Sequence, residues 1–291
     1  MSTTNSIFKS NESGLLLVFM EPGCEVTLEE FHEWYDNEHV PLRIERFPTF
    51  RSAVRYCVKE TTLFPNDNQG SQENDIVEMP PKSSWGAFYT VSTNTTFCDP
   101  AYTSLRSERS EREAELFTRL AIVDRRIYKL EYDSDEDVNN NNEIQMNGKK
   151  IGLAVQTAKE TPRYLIANSV DMKSPELLQE YNKWFEQEHV VLLSKIPGWR
   201  RSRRFTLLDN GVNGTNAKKQ DAKSVPSTLC LHEYDNDSPE ETPEFKLACS
   251  TQWRTKVIGG EQNQNILRRE RKVCSIYRAW DPIAAIRSQN S

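Results

Sequence analysis

Two adjacent pairs of carboxylate and imidazole side chains, Glu38 with His39 and Glu188 with His189, stand at equal spacing after Trp34 and Trp184. A histidine titrates near neutral pH and a desolvated glutamate is pushed toward it, so such pairs suit general acid and base chemistry. His39 falls on the same helical stripe as Leu28 and Tyr35, near the end of a predicted helix. A helix C-terminus favours imidazolium and burial favours the neutral ring, which leaves the group titrating near neutrality. The competing assignment is a core or capping histidine, with Glu38 solvated or paired to Arg43 or Arg55 and the tryptophans filling the core. Arg51 with Arg55, and Arg200 with Arg204, are spaced to share one face of a strand. Facing a cavity, two guanidinium groups could hold a carboxylate or stabilise an enolate; facing a neighbouring strand, Arg200 to Arg204 could instead be neutralised by Glu131 and Asp133. Tyr56 and Tyr89 are hydroxyl donors on predicted strands, where aromatic residues are common in any case. The candidates are therefore His39, Glu38, His189 and Glu188 for proton transfer, and Arg51, Arg55, Trp34 and Tyr56 for ligand contact.

These residues recur because the chain repeats itself. Residues 28–56 align with 177–205 with a single-residue gap, pairing Trp34 with Trp184, Glu38 with Glu188, His39 with His189, Leu42 with Leu192, Pro48 with Pro197, Arg51 with Arg200 and Arg55 with Arg204. Each copy opens with an apolar run of strand length, residues 15–20 or 164–170. A capping box at Thr27 and Glu30, or Ser174 followed by Pro175, then starts a helix. Residues 50–56 and 199–205 read as a second strand, and 85–92 and 228–234 as a third. A charged helix after Pro100 or Pro243 and a closing strand at 127–132 or 274–280 complete each copy. The order βαββαβ, twice, predicts an α+β chain of two ferredoxin-like repeats. Neither sheet can cover its apolar face and edges alone, so the two should close into an intramolecular pseudo-dimeric barrel. The boundaries predicted are a tail at 1–12, repeats at 13–133 and 161–285, a polar linker at 134–160 and a tail at 286–291. Residues 65–84, 133–150 and 209–227 are poor in apolar periodicity and read as loops.

The segments WYDNEHVP at 34–41 and WFEQEHV at 184–190, each followed by a P-x-[FW]-R stretch, resemble the EthD-type family of dimeric α/β-barrel proteins. The resemblance implies a ligand cavity between sheet and helices, and chemistry without a cofactor on an aromatic or polyketide-like small molecule, as in a dehydratase or decarboxylase. The second copy carries Val191 where the first has Pro41, which points to a changed helix exit and a degenerate second site. Two other readings stand beside the lyase: a non-catalytic small-molecule-binding or interaction protein whose histidines lock the helix ends, and a haem-binding or monooxygenase-type member of the superfamily with a histidine as axial ligand.

Composition narrows the classes. With 43 acidic against 37 basic residues the net charge of −6 disfavours nucleic acid as a partner, and the basic runs at 199–205 and 268–272 lack a supporting field. The charged stretch Arg106 to Glu115 reads as a solvated helix face. The apolar run at 15–20 is too short to span a bilayer and no signal peptide precedes it, so a cytoplasmic chain without a membrane partner is expected. Six scattered cysteines give neither a disulfide framework nor zinc-ligand spacing. No phosphate loop, dinucleotide fingerprint, nucleophile elbow or HExxH motif occurs. The expected partner is a small aromatic molecule bound by a monomeric pseudo-dimer that could associate further through exposed edges.

Overall fold

In the computed structural model the described residues are 7–9, 12–64, 80–135, 156–218 and 220–283. The strands are β1 (Gly14–Glu21), β2 (Ala53–Phe64), β3 (Trp85–Val91), β4 (Ile122–Asp133), β5 (Tyr164–Met172), β6 (Trp199–Asn213), β7 (Thr228–Tyr234) and β8 (Ile266–Trp280). They form one closed antiparallel barrel in the order β1-β3-β2-β8-β5-β7-β6-β4, with helices packed outside it: an α+β fold of the dimeric α/β-barrel kind in a single chain. Each half runs strand, helix, strand, strand, helices, strand. The halves meet along two antiparallel seams, β2 on β8 and β4 on β6.

Alternation along β1 sets the layers. Leu15, Leu17 and Phe19 point into the lumen with Tyr56, Phe88 and Phe205, whereas Leu16, Val18 and Met20 pack under the helices with Phe31, Trp34 and Tyr35. Because both faces are buried, the strand is an unbroken apolar run instead of an alternating one. Gly14 is required by its neighbours: a Cβ there would lie 2.3 Å from the Tyr128 carbonyl oxygen and 2.0 Å from Asn94 Oδ1. Gly14→Ala is expected to cost about 1–3 kcal/mol in urea unfolding, as overpacking against backbone does.

Three elements differ from the sequence expectation. β2 and β6 run on to Phe64 and Asn213, so residues 209–213, read as loop, are strand; Asp209 to Asn213 pair with Val123 to Ile127 across a seam and gain partners that periodicity within one copy does not reveal. The single helix expected after each proline is broken into Pro100–Thr103 and Glu111–Arg119, and into Pro243–Ala248 and Gln252–Ile258, because Ser110 and Thr251 each cap a new start with their side-chain oxygen. The basic run at 268–272 is part of β8, where Arg268 pairs with Asp171 at 2.5 Å and Lys272 with Glu270 at 3.1 Å. Most of the predicted linker, the first interior loop and both tails lie outside the described residues. Among the described residues no helix is long and apolar enough to cross a membrane.

Candidate active site

The first helix, α1 (Leu28–Trp34), starts at Thr27, whose side chain accepts from the Glu30 amide at 3.1 Å, while the Glu30 carboxylate, the other half of the predicted capping box, pairs with Arg119. It continues through a π-helical turn, Tyr35–His39, closed by the Val40 amide on the Tyr35 carbonyl at 3.0 Å. Such wide turns re-aim side chains and gather at functional sites. The turn recurs at Phe185–His189, and the helix that follows begins at Val190 in the second half but one aligned position later, at Pro41, in the first. The extra residue rotates His39 under the helix against Trp34 and Tyr35, with ring centroids 4.7 Å away in both cases.

His39 Nδ1 lies 2.7 Å from Glu113 Oε1, and both side chains are buried. Glu113 sits in the first turn of the helix Glu111–Arg119, whose Ser110 cap holds the Glu113 amide at 3.0 Å. Burial, then the charges of Arg43, Arg109 and Arg55, hold the His39 pKa well below its ordinary value, and burial raises that of Glu113. The imidazole is therefore neutral near pH 7 and its Nδ1–H donates to the carboxylate. The nitrogen left for a ligand is Nε2. His39 lines a cavity of about 550 Å³ between β1, β4 and the helices, with Arg43, Arg106, Arg109 and Arg125 in the wall and Tyr102 and Phe117 among the aromatic surfaces. Arg125 is matched by Asp209 at 3.2 Å, while Arg43 donates to the His39 carbonyl at 2.5 Å. The wall thus carries a surplus of positive charge, fit for an anionic or enolisable ligand with an apolar body.

The predicted site residues divide between this cavity and other places. Glu38 does not meet His39; it accepts from the Ser110 hydroxyl at 2.6 Å. Glu188 does the same with Thr251 at 2.5 Å, so in both halves this glutamate ties the first helix to the cap of a later one. Glu188 also accepts from Trp184 Nε1 at 3.0 Å, whereas Trp34 Nε1 is buried without a hydrogen bond. Trp34 is fully buried and backs the His39 ring. Arg55 is fully buried against Asp36, with its guanidinium 4.4 Å from the Tyr35 ring centroid. Arg204 repeats the arrangement with Glu186 at 2.7 Å. Asp133 pairs with Arg201 at 2.7 Å, Arg200 with Asp235 at 3.0 Å, and Glu131 with Lys129 at 2.9 Å. Arg51 is half-buried with its backbone amide on the Thr90 carbonyl at 2.8 Å, and the Tyr56 hydroxyl donates to the Pro162 carbonyl at 3.3 Å in the lumen. Arg51, Arg55, Trp34 and Tyr56 do not line the His39 cavity. Glu113 was missed because Arg106 to Glu115 reads as a solvated face; its Ser110-x-x-Glu113 spacing was the available signal.

The second half departs at one position. Thr251 caps as Ser110 does, and the residue three further on, Glu113 in the first half, is Arg254. His189 Nδ1 consequently has no hydrogen-bond partner, and burial with the charges of His232 and Arg254 lowers the His189 pKa well below the ordinary range. Burial also brings His232 down to about 3. The sign of the consequence is fixed: these rings stay neutral in the fold but protonate in the unfolded chain, so stability is complete above about pH 6.5 and is lost as pH falls below it. The melting temperature should drop steadily below about pH 6.5, and His232→Asn should flatten part of that slope.

No protein-family model matches the chain, and no curated protein matches it. Solved structures do. An anthrone oxidase-like protein superposes with a TM-score of 0.51 at 8% identity, over 94% of this chain and 95% of that one. A candidate monooxygenase of Lactobacillus acidophilus NCFM gives 0.43 at 9% identity over 93% and 96% of the two chains. One of Fusobacterium nucleatum gives 0.44 at 10% identity over 94% and 95%. At these identities the first likeness concerns the barrel fold alone, and nothing rests on the other two.

Proposed function

We propose that the first half of the chain is a cofactor-independent acid-base site, a lyase of dehydratase or decarboxylase type, for an aromatic or polyketide-like small molecule. The observation that carries this reading is the His39 and Glu113 pair, 2.7 Å apart, on the wall of an arginine-rich cavity of about 550 Å³. His39 Nε2 takes a proton from carbon beside a carbonyl, and the freed electron pair moves onto the carbonyl oxygen as an enolate. Glu113 stabilises the imidazolium formed, as a positioning residue, and Arg43 or Arg109 stabilises the enolate. When the enolate collapses, a β-hydroxyl leaves with the proton returned by the imidazolium, so water is released and a carbon-carbon double bond forms. In a decarboxylation His39 Nε2 takes the proton of the substrate's carboxyl group, the carboxylate leaves as carbon dioxide to give the same enolate, and the imidazolium returns that proton to carbon. The reading agrees with the resemblance of the repeated E-H segments to EthD-type proteins.

The test is a melting-temperature screen with aromatic carboxylic acids, polyketide-like phenols and haem, on wild type and His39→Ala. A shift with one aromatic class, absent in the variant, supports the reading and supplies the substrate class. A wild type that no aromatic compound stabilises would sink it. A binding protein with its cavity filled by side chains is disfavoured by the open space beside His39. One observation favours a second reading: an imidazole whose Nδ1 is fixed by a carboxylate and whose residue lines a cavity is also suited to holding a haem iron. His39 would hold the iron, which would supply redox chemistry, and Arg106 or Arg109 could meet propionates. A Soret band on haem titration, lost in His39→Ala, would favour it over the lyase.

A further inference from the structure

We propose that the second half carries a separate binding site for a short organic carboxylate, held by Arg254 and Arg269 in the cavity beside His189. The cavity measures about 110 Å³ and lies under the second π-turn. Arg254, Arg269 and Arg271 line it, and no carboxylate does. Arg271 is matched by Glu240 at 2.7 Å, but Arg254 and Arg269 make no ion pair among the described residues. Three buried polar atoms around the space lack partners: Arg269 Nε, His189 Nδ1 and the hydroxyl of Tyr234, a residue with no exposed surface. Unpaired groups of this kind are costly in a protein interior, and a bound acceptor would satisfy Arg269 Nε and the Tyr234 hydroxyl, while the neutral His189 ring donates through Nε2 to the Ala248 backbone and keeps Nδ1 as an acceptor. Burial and the charges of Arg254 and Arg271 lower the Arg269 pKa, a shift that a bound anion would oppose.

Shape selects among oxyanions. Beside the arginines much of the wall is carbon, including Ile166, Leu193, Phe245 and Ile258, with Asn168 and Tyr181 among its further polar groups. A carboxylate with a compact apolar tail matches both ends of the space. A cavity of roughly 150 Å³ accepts benzene, so this smaller one takes a shorter aliphatic body. The exchange of Glu113 for Arg254 is thus the step that turns a proton-transfer position into an anion-binding one. This inference does not rest on the chemistry proposed for His39.

The test uses the full chain, with butyrate, benzoate and inorganic phosphate as probes. The protein has only four histidines, so ring resonances report the location of binding directly. Butyrate should shift His189 and His232, bind more tightly than benzoate or phosphate, and bind His39→Ala as well as wild type. Arg254→Glu and Arg269→Gln should each weaken butyrate by about tenfold or more. The unliganded melting temperature checks that each variant is folded, and if Arg254→Glu unfolds, Arg269→Gln decides. No butyrate binding, a shift confined to His39, a preference for phosphate or benzoate, or unchanged affinity in folded Arg269→Gln would each overturn the proposal.

Discussion

His39→Ala is expected to lower kcat/KM on the substrate class identified by the melting screen by about 10²- to 10⁴-fold, the range for loss of a general base. A carboxylate can only accept, so Glu113 at 2.7 Å favours the tautomer with Nδ1–H and leaves Nε2 unprotonated. Glu113→Leu removes the acceptor and lets the ring turn, with an expected loss of about 10- to 100-fold. Glu113→Gln separates charge from orientation: its carbonyl oxygen can still accept from Nδ1–H, so KM should hold while kcat falls because the imidazolium loses its counter-charge. The pH profile adds a readout that a purely structural histidine would not move. Burial and the charges of Arg43, Arg109 and Arg55 hold His39 well below its ordinary pKa, so the base is deprotonated through neutrality and the rate should be flat there, falling only at acid pH. Replacing Arg109 by leucine removes one of the depressing charges and should move the acid limb upward. An unchanged rate in His39→Ala, measured with folded protein, would remove the acid-base role.

Much of the positioning was legible because it is periodic. The equal spacing of Trp34 to His39 and Trp184 to His189 fixes one helical register twice, and the apolar run 15–20 has the length and composition of a strand, whose burial on both faces the barrel then supplies. What escaped depends on contacts between distant segments. Glu113 lies 74 residues from His39, and Ser110-x-x-Glu113 reads alike whether the carboxylate turns back to its own cap or across to another helix. The Arg55 and Asp36 pair left a trace, since Arg204 and Glu186 repeat it in charge at aligned positions; the two arginines of each strand were instead weighed as one unit. The lengths of β2 and β6 are set by β8 and β4, their partners in the other half, so no pattern within a single copy could give their ends.

Arg126→Met is expected to destabilise the protein by about 3–5 kcal/mol in urea unfolding near neutral pH, the cost of stranding a buried counter-charge. Arg126 is fully buried in the lumen, 2.6 Å from Asp124 and 2.5 Å from Glu270, which is also 3.1 Å from Lys272. Asp124 and Arg126 lie on β4, and Glu270 and Lys272 lie on β8, its opposite in the closed order, so the network joins the halves across the lumen as the seams do around it. Burial alone would raise Glu270, but the charges and hydrogen bonds of Arg126 and Lys272 outweigh it and hold the carboxyl at about 2. A depressed acid contributes stability above its unfolded pKa and loses it as pH falls through the folded value, so this part fades below about pH 4.5. Asp124 opposes it in part, since burial leaves its pKa raised. Removing Arg126 raises both folded pKa values, so protonation relieves the variant while it weakens wild type, and the deficit should narrow on acidification. Asp124→Leu combined with Arg126→Met removes a whole pair and leaves Glu270 with Lys272, so most of the lost stability should return. A double variant as unstable as Arg126→Met alone would mean that the cost is lost packing around Phe19, whose ring centroid lies 5.1 Å from the Arg126 guanidinium, and not a stranded charge.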